Sequence, residues 1–343
     1  MNIVAALPTD ERTAMFQEAA NRRGVTLQII EKDFWVCWTL KQLFESTRFG
    51  PHLLFKGGTS LSKVFNLIQR FSEDIDLSFS REFLGFTGEK DPEQAPSRKQ
   101  TQKLIEELAE ACRQMIAGEF LPTLQTQFAA ILGTNGWRLE VDTNDAQAVL
   151  FAFPTRETTD RTLPSYIKAI VKMEMGARSD HWPLGDYAIT PYAAEEFPDF
   201  FESPNCNVRA LEAERTYWEK ATILHAEYHR ALESALPERV SRHYYDFHKL
   251  SVSAISDRAL SDLSLLKRVA EHKGVYFASG WAKYDEARLG SLRLTPRDER
   301  VPALKQDYNQ MKDMIFGEIP SFEKIVESLR EIESRINASG NKG

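Results

Sequence analysis

The most constraining feature of the sequence is a glycine pair that is followed, one helix later, by an Asp-x-Asp pair. Phe-Lys-Gly-Gly-Thr-Ser occupies positions 55–60, between a predicted strand at 52–56 and an amphipathic helix. Glycines let the backbone approach a ligand closely, and the free N–H groups of a helix start favour phosphate. Phe-Ser-Glu-Asp-Ile-Asp-Leu then occupies 71–77. This succession predicts a phosphate-binding turn beside a divalent-metal site in an α/β sheet.

The glycine turn is a weak signal when it is taken alone. A plain tight turn is the commonest meaning of Gly-Gly, and the Gly-Lys-Ser/Thr ending of a Walker A loop is absent. Thr59 or Ser60 is the predicted N-cap of the following helix, whose apolar residues continue to Ile68. The value of the turn therefore comes from its position one helix before Asp74.

Strand alternation predicts an acidic face on residues 71–79. The odd positions are mostly apolar, whereas Ser72, Asp74, Asp76 and Ser78 share the other face. Two neighbouring carboxylates repel each other unless a cation lies between them, and Mg²⁺ prefers such hard oxygen ligands. The alternative is a solvated edge strand with two unremarkable acids.

A second predicted strand, at 166–175, supplies a candidate third carboxylate. Its odd positions are apolar, and Lys168, Lys172 and Glu174 lie on the opposite face. If this strand neighbours the first, Glu174 completes a three-carboxylate site. The alternative is an ordinary exposed glutamate beside two lysines.

From about residue 213 the pattern changes to helices, and two of them carry candidate residues. Lys220 borders the apolar stripe of its helix, so it could reach a triphosphate as a point charge, or could be a surface lysine with a buried stem. Arg242 and Asp246 lie four residues apart, which suits a helix salt bridge. Asp246 could instead orient a catalytic lysine or a substrate hydroxyl.

Zinc and serine hydrolase chemistry are disfavoured. His225 and His229 have the spacing of zinc ligands on a helix, but the glutamate is Glu227 rather than the residue directly after the first histidine. No nucleophile-elbow motif is present.

Composition bounds the class of protein. The chain has 343 residues and a net charge of −7, so contact with nucleic acid must depend on a local patch. Three scattered cysteines without a C-x-x-C pattern favour reduced thiols in the cytoplasm. We expect no signal peptide and no membrane segment. We predict an α/β domain at 1–210, a helical domain at 211–338 and a disordered tail at 339–343.

Taken together, the motifs resemble those of the AbiEii/AbiGii toxin family, nucleotidyltransferase-fold toxins of bacterial toxin–antitoxin and phage-defence systems that include the MenT toxins. The resemblance runs from about residue 28 to residue 252. The segments that carry it are Ile30–Phe34, Phe55–Lys63, Arg70–Leu77, Glu219–Ala221 and Arg242–Asp246.

The resemblance implies a fold and a set of site residues. The fold is a polymerase-β-like mixed sheet, of the α/β (α+β) class, with a helical C-terminal lobe. The implied metal ligands are Asp74, Asp76 and Glu174, and the implied essential pair is Lys220 and Asp246. Nucleotide binding is implied for Lys56, Gly57, Gly58, Thr59, Ser60 and Lys220.

The sequence departs from the family pattern at two of these positions. Thr59 replaces the serine that is frequent after the glycines, and Glu174 stands where an aspartate is common. Ser72 falls where some relatives are silenced by phosphorylation. A phosphate there would bring negative charge into the metal site.

The expected activity is that of a toxin that transfers NMP from an NTP to an RNA 3′ end, with Mg²⁺ or Mn²⁺ as cofactor. The expected acceptor is tRNA, the expected result is a block of translation, and a cognate antitoxin is the expected protein partner. Two alternatives stay open: transfer to a protein side chain, and a non-catalytic nucleotide-binding interaction module.

Overall fold

The computed structural model describes residues 1–72, 74–156 and 168–339, which form two compact units. Unit 1 comprises Met1–Val64 and Ser72–Ala210; unit 2 comprises Phe65–Phe71 and the chain from Leu211 onward. The domain limits expected from the sequence stay a prediction. No described helix is both long and apolar enough to cross a bilayer.

Unit 1 is built on a mixed sheet of seven described strands in the order β3-β4-β5-β2-β1-β7-β6. The strand β2 is antiparallel to β1 and parallel to β5, and β1 is parallel to β7. This mixed sheet confirms the predicted fold class. The strands are β1 (Leu53–Lys56), β2 (Asp74–Phe79), β3 (Arg138–Asp142), β4 (Asp145–Ala152), β5 (Ile170–Gly176), β6 (Leu184–Ile189) and β7 (Cys206–Leu211).

Helices pack on this sheet through a dense aromatic core. Trp35 and Trp38 are fully buried, and their rings contact Phe151 of β4 at centroid distances of 5.7 and 5.8 Å. Phe128 contacts Trp38 at 4.6 Å. The helices of unit 1 are α1 (Asn2–Ala6), α2 (Thr9–Arg23), α3 (Leu27–Phe44), α4 (Gly57–Lys63), α5 (Arg98–Met115), α6 (Leu121–Leu132) and α7 (Tyr192–Glu196).

Unit 2 is helical, and the short segment before β2 belongs to it. Within the segment Phe65–Phe71, the Phe71 amide donates to the Met314 carbonyl at 2.7 Å, and Gln69 accepts from the Phe316 amide at 2.6 Å. The core includes Tyr217 against Phe247, at a centroid distance of 4.7 Å. The helices are α8 (Ala213–His229), α9 (Ser241–Ser251), α10 (Ala254–Ser261), α11 (Ser264–Tyr276), α12 (Val301–Met311) and α13 (Phe322–Ser339).

Several boundaries differ from those predicted. Strand β2 begins at Asp74 rather than at 71, so Ser72 is not part of it. Helix α4 ends at Lys63, well before Ile68. Helix α13 includes Ser339, the first residue of the predicted tail, and the rest of that tail lies outside the described residues. The first two residues of the predicted strand 166–175 also lie outside them.

Candidate nucleotidyl-transfer site

The acidic face of β2 lies next to the polar face of β5. The two strands pair in parallel, with Asp74 opposite Lys172 and Asp76 opposite Glu174. Both aspartates are half-buried, and the alternate residues Ile75 and Leu77 are buried in the core. The period of two therefore turns Asp74, Asp76 and Glu174 to one side of the sheet.

The three carboxylates differ in their partners. Lys172 Nζ donates to Glu174 Oε1 at 2.8 Å. Burial opposes the charge of Lys172, but the hydrogen bond and the attraction to Glu174 outweigh it, so that the pKa of Lys172 is raised. The Asp76 carboxylate makes no hydrogen bond or ion pair with the described residues. Over those same residues, no three acidic, histidine or cysteine side chains are arranged to hold a metal ion.

Gly57 is required where it stands, for two reasons. Its φ is +79°, a backbone conformation that residues with a side chain adopt only at a cost in free energy. A Cβ at this position would also lie 1.9 Å from Asp76 Oδ2 and 2.5 Å from its Cγ. The Asp76 carboxylate thus lies directly against the glycine turn, and only a residue without a side chain leaves it room.

The hydroxyls after the glycines serve the protein itself. Thr59 Oγ1 donates to the backbone carbonyl of Asp74, and Ser60 Oγ donates to the Gly57 carbonyl at 2.9 Å. Both residues are buried. The prediction that Thr59 or Ser60 caps the helix is wrong, because α4 already begins at Gly57, with Lys56 as N-cap and no side-chain cap.

The far end of α4 is anchored by a buried ion pair that sequence reasoning missed. Lys63 Nζ lies 2.8 Å from Asp33 Oδ1 and donates to the Thr190 carbonyl at 2.9 Å. It also lies 3.7 Å from the centre of the Tyr192 ring. Although burial opposes its charge, Asp33 raises the pKa of Lys63. Both residues lie in segments that carry the family resemblance, Ile30–Phe34 and Phe55–Lys63, but the resemblance specified no role for either.

In unit 2, Lys220 and Asp246 are in direct contact and buried. Lys220 Nζ donates to Asp246 Oδ2 at 2.7 Å. Arg70 donates to both carboxylate oxygens of Asp246, at 2.6 and 2.9 Å. Burial favours the neutral acid, but the two cations keep the pKa of Asp246 well below its usual range. Asp246 is therefore an ionised group saturated by Arg70 and Lys220, and is not the partner of Arg242.

The location of Lys220 removes the surface-lysine alternative. Its side chain is 8% exposed, and its ammonium contacts His243 Nδ1 at 3.2 Å as well as Asp246. Burial, together with Arg70 and Arg242, lowers the pKa of Lys220 despite the attraction of Asp246. Burial and the adjacent cations also hold the pKa of His243 well below its usual range, so its ring is neutral and Nδ1 accepts from the ammonium.

The histidine pair on α8 is not arranged as a metal centre. His225 Nε2 donates to the Lys283 carbonyl at 3.0 Å, and its Nδ1 accepts from the Arg293 amide at 3.1 Å. Burial lowers the pKa of His225 to about 4, so the neutral ring is the stable form. Since both ring nitrogens are occupied by backbone groups, neither is available to zinc.

Comparison with known proteins identifies the family of the chain. The family model for the nucleotidyl transferase AbiEii toxin of type IV toxin–antitoxin systems matches residues 38–328. No curated protein matches the sequence. Among solved structures, the fold is similar to that of MenT4, a nucleotidyltransferase toxin from Mycobacterium tuberculosis H37Rv, with a TM-score of 0.51 and 17% identity over 94% of this chain and 89% of that one.

The MenT4 likeness concerns the fold, and the family match concerns most of the sequence. The family match includes both motif-bearing parts of the chain, Phe55–Leu77 and Glu219–Asp246. The chain therefore belongs to the AbiEii family of nucleotidyltransferase toxins of type IV toxin–antitoxin systems.

Proposed function

We propose that this toxin transfers NMP from an NTP to the 3′ end of an RNA, with tRNA as the acceptor and arrest of translation as the result. The observation that carries the proposal is the Asp76 carboxylate. It lies against the Gly57 turn, beside Asp74, and without a partner among the described residues. A half-buried carboxylate in that state is a natural ligand for a cation.

The donor set fits a hard divalent ion. Asp74 and Asp76 would hold Mg²⁺ or Mn²⁺, and substrate phosphates would complete the coordination, which is how such ions usually bind. Since the described residues contain no ready cluster of three such ligands, Glu174 would join the ion only after its side chain turns toward it from Lys172. The ion would supply charge neutralisation at the leaving pyrophosphate and a more acidic attacking hydroxyl.

The glycine turn completes the proposed machinery of unit 1. The backbone N–H groups at Gly57–Ser60 have no side-chain cap, and together with Lys56 they would bind the phosphates. The hydroxyls of Thr59 and Ser60 would act indirectly, by tying the turn to itself and to β2. The assignment of Lys220 and Asp246 to the reaction rests on the family resemblance.

The proposal extends to partners and control. A type IV system implies an antitoxin, and NTP and RNA substrates imply action in the cytoplasm, with phage defence as the setting. Ser72 is half-buried, two residues before Asp74. A phosphate on Ser72 would add negative charge near the acidic face and inhibit the enzyme.

The test is incubation of the purified protein with each of four labelled NTPs, total RNA and a cell lysate. Asp76→Asn and Asp74→Asn are each expected to lower the rate of nucleotidyl transfer by about a thousandfold. Each change removes a negative charge that would hold the metal ion in the transition state. Asp186→Asn is the matched control, since Asp186 is an exposed aspartate on β6 of the same sheet. Its rate should equal that of the wild type.

The label also decides among acceptors. Label in a tRNA band supports the proposal, whereas label in a protein band replaces the acceptor with a side chain. Binding of NTP without any turnover would reduce the protein to a nucleotide-binding module. Full transfer by the Asp76→Asn variant would remove the metal-ligand assignment.

A further inference from the structure

One segment of unit 2 is basic, although the chain as a whole is acidic. Residues 267–300 contain eight lysines and arginines and five acids, whereas the whole chain has a net charge of −7. The same segment contains Trp281, whose side chain is 43% exposed. Basic residues interleaved with exposed aromatic rings are typical of surfaces that bind single-stranded nucleic acid.

The C-terminal end of α8 fixes the position of this segment through one histidine. His225 Nε2 donates to the Lys283 carbonyl at 3.0 Å, and its Nδ1 accepts from the Arg293 amide at 3.1 Å. Both bonds reach the backbone, so they hold the chain itself rather than a long side chain. Trp281 and Arg297, which lie two and four residues from these anchors, are thereby kept beside α8.

The Trp281 ring is held in place and still open to solvent. The guanidinium carbon of Arg230, on the residue that follows α8, lies 4.4 Å from the ring centre. Glu227 fixes Arg230 in turn, because its two carboxylate oxygens accept from Nε and Nη2 at 2.7 Å each. A fixed ring of this kind is a pre-organised platform on which a base can stack.

A second ring, that of Tyr228, is accompanied by two cations. The guanidinium carbons of Arg293 and Arg297 lie 5.5 and 5.3 Å from its centre. Glu333 lies 3.7 Å from Arg293, but the guanidinium of Arg297 makes no hydrogen bond or ion pair with the described residues. A guanidinium with open donors matches the oxygens of a phosphate, to which it can donate two parallel hydrogen bonds.

The charge in this neighbourhood is positive on balance. Burial lowers the pKa of His229, and repulsion from Lys283 lowers it further. Arg297 and Arg293 act in the same direction, whereas the attraction of Glu286 opposes them. Lys283 and Glu286 form an exposed ion pair at 2.9 Å, and such pairs are readily exchanged for contacts with another anion.

We propose that the surface formed by Tyr228, Arg230, Trp281, Arg293 and Arg297, the aromatic–cationic surface, binds a single-stranded segment of RNA. One unpaired base stacks on Trp281, and backbone phosphates contact Arg297 and Arg293. The positive balance and the open guanidinium favour a polyanion over a protein partner. The inference deepens the proposed function, because the role of the RNA as acceptor rests on that function.

The experiment is a fluorescence anisotropy titration of the full-length chain in EDTA. The probe is a labelled single-stranded RNA oligonucleotide of mixed sequence. Trp281→Ala is expected to weaken binding by at least about fivefold, because one base loses its stacking partner. Trp281→Phe keeps a ring and should lose less. The control is Phe200→Ala, which removes a side chain that is 62% exposed in unit 1 and should bind like the wild type.

The dependence of binding on salt separates phosphate contacts from stacking. Arg297→Gln should reduce the slope of log K against log salt by about 0.7, which is the value for one phosphate contact to a single strand. Trp281→Ala should leave the slope unchanged, since stacking releases no counter-ion. Arg330→Gln, at an exposed arginine of α13, is the control and should keep both the affinity and the slope of the wild type.

Three results would overturn the inference. The wild type could bind no single-stranded RNA, which would leave the surface to a protein partner. Trp281→Ala and Phe200→Ala could bind the RNA equally well. The same RNA annealed to its complement could bind as tightly as the single strand and lose as much affinity in Trp281→Ala, although its bases are already stacked on each other.

A second measurement uses the wild type alone, so that it does not depend on a variant that folds. RNA that contains 5-iodouridine cross-links under ultraviolet light to aromatic rings that stack on the base, and mass spectrometry locates the product. A cross-link at Trp281 is expected, and cross-links confined to other parts of the chain would refute the surface.

The outcome separates this inference from the proposed function. RNA binding that depends on Trp281, in a protein that transfers no nucleotide, would sustain the surface and remove the proposed function. Transfer to limiting RNA that Trp281→Ala leaves unchanged would sustain the proposed function and remove the surface.

Discussion

Asp76 in unit 1 and Asp246 in unit 2 are both predicted site residues by family resemblance, yet their surroundings are opposite. Asp246 is completely buried, and its two oxygens accept three hydrogen bonds from Arg70 and Lys220. Asp76 is half-buried and makes no hydrogen bond or ion pair with the described residues. One carboxylate is saturated by protein donors, and the other is open to water or to a ligand on the part of the chain that the structure describes.

Under the proposed function, the difference predicts which acid acts on a substrate and which acts on its neighbours. A saturated carboxylate cannot take a metal without releasing its cations, and the visible effect of Asp246 is to hold the ammonium of Lys220 in place. An open carboxylate costs the fold little when water can reach it, and it is ready for a cation. Glu174 lies between these extremes, because Lys172 occupies only one of its oxygens.

The largest expected effect on stability is that of Asp246→Asn. Removing one member of a buried ionic cluster leaves buried charge uncompensated, and we expect a loss of about 3–5 kcal/mol in the free energy of unfolding. Asp76→Asn should change it by less than about 0.5 kcal/mol. Urea denaturation followed by circular dichroism measures both. Equal losses would break the contrast between the two aspartates.

A smaller effect is expected from Gly57→Ala, since its Cβ would meet the Asp76 carboxylate. We expect a loss of about 1–3 kcal/mol, together with reduced transfer, because both the positive φ and the displacement of Asp76 are penalised. Gly24→Ala is the control, since Gly24 has a φ of +67° and no atom within 4 Å of its ideal Cβ. Part of the loss should disappear in the Asp76→Ala background, where the closest atoms are absent. Identical costs at the two glycines would mean that the close approach to Asp76 has no energetic weight.

The smallest effect is expected from Glu174→Gln. The change keeps the shape and one acceptor oxygen, so that we expect a loss of about 1 kcal/mol, or roughly fivefold in the rate of transfer, with a raised requirement for Mg²⁺. Steady-state rates over a series of Mg²⁺ concentrations measure it, and Glu140→Gln on β3 serves as the control. A loss as large as that of Asp76→Asn would make Glu174 a full ligand.

The period of two was sufficient to predict the acidic face. It placed Asp74 and Asp76 together and Glu174 on the polar side of β5, because the apolar residues that alternate with them in both strands are buried. The register between the strands was not predictable, since it depends on which strands become neighbours. The pairing of Asp76 with Glu174 is a property of the sheet rather than of either segment.

Helix boundaries were not predictable from the sequence where local signals conflicted with the packing. Gly118 and Pro122 are residue types that commonly interrupt helices. The chain instead continues through a short π-helix at Ile116–Phe120 into α6, where Pro122 lies in the first turn and needs no intrahelical N–H partner. The start of α4 at Gly57 was missed because serine and threonine are the usual caps.

Long-range partners were beyond the sequence altogether. Arg70 stands beside the Asp-x-Asp motif, but its role depends on Asp246, which is 176 positions away. The pair of Lys63 with Asp33 is equally invisible to periodicity. A local pattern reports which face a side chain occupies, whereas the identity of the opposite group is decided by topology.

The seven residues Phe65–Phe71 belong to unit 2, although α4 before them and β2 after them belong to unit 1. A fragment that starts at Leu211 would therefore carry Asp246 without Arg70. Recombination between relatives at that point would transplant a helical lobe whose central anion had lost the arginine that neutralises it. We expect natural relatives to inherit the two units together. A chimera that exchanges unit 2 must also exchange the segment Phe65–Phe71.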